Sequence, residues 1–193
     1  MINYKIVFFL FLLFFSCSTD YIPKPKAYLK LDLPDKNYEI FKSDCPFFFD
    51  VPTYSSIVEL EKSCMFNIEF ENQNGRIHVT YYPLSDNLVE HTEESRRLAY
   101  KHNTFADAIN ERLYINRSKN VYGILYDYKG LTATAMQFYI TDSINHFFRG
   151  ALYFDTEVND SITPINNFIK QDIKRLIESF SWKEKQTRKL YEK

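Results

Sequence analysis

The chain has 193 residues, with 18 Phe and 15 Tyr against only 4 Gly, and its 24 basic and 25 acidic residues leave a formal charge of −1. So even a balance provides no global field for nucleic acid or for an acidic substrate, and no nucleic-acid partner is expected. Bulky, β-prone aromatics favour a sheet over a helical bundle.

The N-terminus opens with one positive charge, Lys5, and an unbroken apolar run from Ile6 to Phe15, followed by Ser16-Cys17-Ser18. Ten apolar residues rise only ~15 Å as a helix, half of a bilayer core, so the run reads as the h-region of a signal peptide. A small residue directly before a cysteine is where lipoprotein signal peptidase cuts and where the thiol becomes diacylated. Residues 1–16 are therefore expected as a lipoprotein signal peptide and Cys17 as the lipidated first residue. Phe14 and Phe15 depart from the commoner Leu and small residue of that cleavage motif, which leaves an ordinary signal peptide with a chance cysteine as the competing reading. No second apolar stretch reaches the length of a membrane span, so acyl chains would be the membrane anchor.

Residues 17–44 are expected as a tether. Pro23, Pro25 and Pro34 fix φ and push their neighbours into extended conformations, and Lys24, Lys26 and Lys30 keep the segment solvated. Residues 35–44 read as polar connection. Lipidation of Cys17 leaves Cys45 and Cys64 as a pair; in an exported protein a disulfide is the expected outcome. Two buried free thiols are the competing reading. A metal pair is disfavoured, since neither CxxC nor a nearby His accompanies them.

A globular domain is expected over 45–182. Cys45–Phe49 and Ser56–Leu60 are short strand candidates. Phe66, Ile68 and Phe70 alternate with polar residues, Asn72–Gly75 signals a turn, and Ile77, Val79 and Tyr81 alternate again, which predicts a hairpin. Asp86 to Lys101 reads as a helix capped by Asp86, with a thin apolar stripe suited to lying on a sheet with one side wet. Phe105–Ile115, Val121–Tyr128, Thr132–Ile140 and His146–Phe154 are further strands, with connections short enough for antiparallel neighbours. The last helix is capped by Thr163, begins with Pro164, and buries Ile165, Phe168, Ile169, Ile173, Leu176, Ile177 and Phe180; Lys170, Lys174, Arg175 and Glu178 are expected to face water. Trp182 closes the core, and residues 183–193 form a polar tail. The sum is an α+β fold: an antiparallel sheet of six or seven strands packed with helices.

Chemistry is sparse. GxSxG, HExxH, SxxK and a Gly-rich phosphate loop are all missing from the sequence, so no catalytic residue, metal or cofactor is expected and the protein reads as a non-enzyme. His78, His91, His102 and His146 are scattered. His91 and Glu94 have a chelating spacing without a third ligand, and Tyr100-Lys101-His102 is better explained as cations at a helix C-terminus.

The chain resembles the gliding motility lipoprotein GldD family of Bacteroidetes. Tyr21-Ile-Pro23-Lys-Pro25 with Tyr28-Leu-Lys-Leu31, Cys45-Pro46-Phe47 with Cys64, Tyr100-Lys101-His102 and Val121-Tyr122-Gly123 carry the resemblance. It is densest in Gln137–Ser143, His146–Phe154 and Asp172–Trp182. Ala27 stands where Gly is expected, and the tail past Trp182 is extra. The resemblance implies an envelope lipoprotein supporting gliding motility and the linked type IX secretion machinery, as an assembly or stability factor beside other gliding and secretion lipoproteins. The order of elements is also similar to PsbP-like α/β/α domains. Asp142-Ser143-Ile144 and Asp160-Ser161-Ile162 match the Asp-Ser/Thr-apolar acceptor motif of Bacteroidetes O-glycosylation, making Ser143 and Ser161 candidates. Ser18 after the cysteine is not an inner-membrane retention signal, and an acidic surface-export cluster is missing there. Both favour a periplasm-facing domain anchored to the outer membrane, with the inner membrane as the alternative. A binding module for a small or lipid-like ligand, held between sheet and helix, is the alternative function.

Overall fold

Alternation along the chain becomes a seven-stranded antiparallel sheet in a computed structural model, which describes residues 32–101, 106–130, 132, 134–155 and 162–183. Residues from Leu33 onward form one unit. Cys17, most of the expected tether, Ser161, His102 and residues 184–193 lie outside the described residues.

In chain order the strands are β1 (Tyr38–Ile40), β2 (Phe47–Phe48), β3 (Asp50–Pro52), β4 (Ser56–Glu59), β5 (Phe66–Phe70) and β6 (Gly75–Pro83). Helix α1 (Leu88–Tyr100) follows, then β7 (Ala108–Asn116), β8 (Val121–Lys129), β9 (Thr134–Thr141), β10 (His146–Phe154), helix α2 (Thr163–Ser179) and β11 (Ser181–Trp182). The main sheet runs β4-β5-β6-β10-β9-β8-β7. From β6, in the middle, the chain crosses the sheet through α1, resumes at the far edge with β7, and returns strand by strand until β10 closes against β6. That closing pair runs from His146 opposite Pro83 to Phe154 opposite Gly75. The fold is α+β, with α1 lying on one face of the sheet and α2 on the other.

Period two gives those faces opposite chemistry. Toward α2 point Phe66, Ile68, Phe70, Ile77, Val79, Phe148, Leu152, Met136, Phe138 and Ile140, all buried. Two small paired strands, β1–β3 and β2–β11, cover the same side. They add Phe41, Phe47 and Phe49, whose rings stack on one another and on Phe66 and Phe180, with centroids 4.7–6.4 Å apart. Each buried ring contributes ~1.5–3 kcal/mol by desolvation alone, so this phenylalanine layer dominates stability. Cys45 and Cys64 form a disulfide beside it.

Residues 35–44 are not mere connection. They contain β1, and Phe41 is a core residue, hidden in the sequence by the polar residues around it. The β5–β6 turn is a single 3-10 turn, Glu71–Gln73, closed by Asn74 at φ 49°, so Gly75 already belongs to the strand. Neither helix is capped as expected. Asp86 sits at φ 57° outside α1, where Asn87 is the boundary residue without a side-chain cap, and Thr163 is already inside α2. Among the described residues, no helix is long and apolar enough to cross a membrane.

Candidate functional site

Charged groups in the domain are sorted by face. On the α2 side they are paired internally. Asp172, 2 % exposed, accepts hydrogen bonds from the Lys36 ammonium at 2.7 Å, the Tyr38 hydroxyl at 2.8 Å and the Tyr54 hydroxyl at 2.7 Å. Lys36 Nζ also donates to the Phe168 carbonyl and lies 3.2 Å from the centroid of the Phe168 ring. Burial, then the bonded carboxylate, push the Tyr38 and Tyr54 hydroxyls well above the ordinary tyrosine range. Lys170, expected at the surface, is instead buried. It donates to Asp127 Oδ1 at 2.6 Å and to the Tyr128 carbonyl at 3.2 Å, joining α2 to β8. Both clusters fasten α2 and offer no open coordination or reacting geometry.

The α1 side of the sheet is polar and tyrosine-rich. Strand parity places Asn67, His78, Thr80, Tyr82, Tyr122, Tyr126, Tyr128, Gln137, Tyr139, Phe147, Arg149 and Tyr153 there. His78 Nδ1 pairs with Asn67 Oδ1 at 2.8 Å, and burial lowers the imidazole's affinity for a proton. His91 of α1 is held between rings, 4.9 Å from Tyr82 and 5.2 Å from Phe147. The helix covers this face incompletely. A cleft of about 300 Å³ remains between α1 and the sheet, lined by Thr80, Tyr82, His91, Ser95, Phe147 and Arg149, with Glu90 and Glu94 also on its wall. Arg149 donates to Gln137 Oε1 at 2.6 Å, and burial disfavours its charged form. The phenylalanine layer against α2, by contrast, is filled, and the space left on that side is a smaller one of about 200 Å³ where Lys174, Ile177 and Glu178 of α2 meet Leu113 and Leu125 of β7 and β8.

The residues singled out in the sequence are scattered over this architecture. His91 and Glu94 do not act together: Glu94 is held by Arg97 through two bonds of 2.6 and 2.7 Å. Among the described residues, no group of three or more His, Cys, Asp or Glu is arranged to hold a metal. Tyr100 donates to Glu111 of β7. Ser143 is exposed at the β9–β10 tip with φ 70°. The Asp142 carboxylate accepts the backbone amides of Ile144, Asn145 and His146 at 2.8–3.0 Å. Burial alone would raise its pKa, but those amides outweigh it and hold the carboxyl below its usual range. The Asp142-Ser143-Ile144 tripeptide thus has an architectural reason of its own, a turn. Sequence reasoning missed Arg149, Gln137, Asp172 and Lys36, since nothing local marks a charge that will be buried.

A model of one protein family, described as "Gliding motility lipoprotein GldD", matches residues 18–182, which takes in the spacer after Cys17 and the entire sheet with both helices. This chain belongs to the gliding motility lipoprotein GldD family. Membership associates the protein with gliding motility and, as a lipoprotein, with the cell envelope. No curated protein matches the chain. In this GldD-family chain the match stops at Trp182, the residue whose indole donates to the Asn120 carbonyl at 3.1 Å and ends β11.

Proposed function

We propose that the protein is a non-enzymatic accessory lipoprotein, lipidated at Cys17, that stabilises or assembles components of the gliding apparatus and its linked type IX secretion machinery from the periplasmic side of the outer membrane. The observation that carries this reading is the extent of the family match. It begins at residue 18, directly after the expected lipidation site, and spans the spacer and the folded unit together, so that tether and domain recur as one device. The charged clusters on the α2 side support it, being spent on internal fastening rather than poised for proton transfer. Partners are other gliding and secretion lipoproteins and envelope components.

Crosslinking in living cells, followed by detergent purification of the tagged protein, tests the role. Gliding or secretion components recovered in stoichiometric yield are the expected result, and isolation of the protein alone would overturn it. A Cys17→Ala variant is expected to mislocalise and to abolish motility; full motility from that soluble form would remove the anchor from the mechanism.

A further inference from the structure

Arg149 is a half-buried cation of the α1 face, and among the described residues no carboxylate forms an ion pair with it, whereas Arg76 on the same face is paired with Glu69 and Asp155. Its guanidinium has a single acceptor there, the neutral Gln137 amide. Glu94, the acid that shares the cleft, is already clamped by two bonds to Arg97. A desolvated arginine ordinarily acquires a carboxylate partner, because the pair offsets the cost of removing the charge from water. Here the partner position is occupied by glutamine, at a further cost. Gln137 is 2 % exposed, and its buried Nε2 meets no acceptor among the described residues. Glutamate at the same place would neutralise Arg149 and carry no orphaned N–H. Glutamine orients the guanidinium through Oε1 while leaving its charge unspent.

The surroundings define what would complete that charge. The cleft is small, about 300 Å³, at the lower edge of ligand-site sizes. One wall is aromatic, formed by Tyr82, His91 and Phe147. One guanidinium fork matches a planar carboxylate, and Glu90 and Glu94 on the wall oppose a dianion. We propose that the cleft between α1 and the sheet binds a small monoanionic carboxylate with an apolar body, gripped by Arg149, oriented through Gln137 and stacked against the Tyr82–His91–Phe147 wall. This is a ligand site separate from any docking of partner proteins, and it does not depend on that role.

Calorimetric titration of the full-length protein in non-ionic detergent tests it, with phenylacetate as the probe and inorganic phosphate and choline for comparison. Saturable phenylacetate binding is expected, stronger than phosphate, with no heat from choline. Gln137→Glu supplies an internal counter-ion, so it is expected to weaken phenylacetate at least about tenfold while leaving the melting temperature equal or higher. Arg149→Met is expected to weaken it as much. The proposal is overturned by absence of saturable phenylacetate binding to the unaltered protein, by phosphate binding more tightly than phenylacetate, or by unchanged affinity in Gln137→Glu. Because the glutamate variant retains or gains stability, loss of binding in it is not a folding artefact, and a lowered melting temperature would itself contradict an unneutralised Arg149.

Discussion

Asp172 shows how much one buried charge decides here. Its two oxygens receive a lysine and two tyrosines from residues 36, 38 and 54, so a single carboxylate ties the start of the folded unit to the middle of α2. Truncation would leave the Lys36 ammonium, whose side chain is only 25 % exposed, without its counter-ion. Asp172→Ala is therefore expected to cost about 3 kcal/mol in urea unfolding, as for other broken buried pairs. A loss below about 1 kcal/mol would mean that the pair behaves as a surface salt bridge. Gly123 is decisive in a different way. A Cβ at that position in β8 would run into the Tyr139 backbone carbonyl of β9, so only glycine lets the two strands approach as they do.

At the level of elements, the Cys45–Cys64 bridge spans 19 positions and joins the segment before β2 to the loop before β5. It couples the small β2–β11 pair to the edge of the main sheet, where β4 is largely exposed. In the chain-entropy account, closing such a loop contributes roughly 3 kcal/mol. Reduction is expected to lower stability by about that amount, read as a shift in the urea midpoint, with the α2-face core still formed. An unchanged midpoint would mean that the phenylalanine layer holds this region unaided. The opposite edge is less protected. Among the described residues strand β7 pairs only with β8, and its Leu113 and Ile115 are 70 % and 51 % exposed. Charged Glu111 and Arg112 interrupt that apolar edge, which limits edge-to-edge association.

For the whole molecule, tyrosine burial sets the response to alkali. Burial raises the pKa of Tyr38, Tyr54, Tyr81, Tyr126, Tyr128 and Tyr139 above the ordinary value, the first two further through Asp172. Unfolded tyrosines ionise near pH 10, so above that pH the unfolded chain releases protons that the folded one retains. The stabilisation is complete below about pH 10 and is lost as pH rises beyond it. Lys36, whose proton affinity burial lowers, opposes this as a single group. The melting temperature is expected to fall steadily from pH 9.5 upward (on the order of one unit either side of the free tyrosine pKa), with the phenolate absorbance of these six among the fifteen tyrosines appearing only as the protein unfolds. Phenolate absorbance reaching the full amplitude of all fifteen tyrosines with no loss of structure would show that these hydroxyls are not sequestered.

What was legible in the sequence was local. Alternation at Phe66–Phe70 and Arg76–Tyr82, short turns between the later strands, and the apolar stripe of α2 each follow from the period of a strand or helix, which neighbouring residues specify between themselves. Those periods delivered the α+β class, the strand count of the main sheet and the elements that carry the core. Cysteine parity likewise gave the Cys45–Cys64 pairing. Residues 35–44 failed because their apolar members, Phe41 among them, lie between charges and turn formers. Lys170 failed because a helical wheel assigns lysine to water, and nothing in α2 indicates that β8 will present Asp127 beneath it. The features with the most chemistry depend on such distant meetings. Lys36 and Asp172 are 136 residues apart, and Gln137 and Arg149 share a face only because β9 and β10 pair in one particular register. Hydrophobic periodicity is a property of a few consecutive residues and survives in one dimension. Whether a buried charge is neutralised or left waiting depends on which strands become neighbours, and only the tertiary structure decides that.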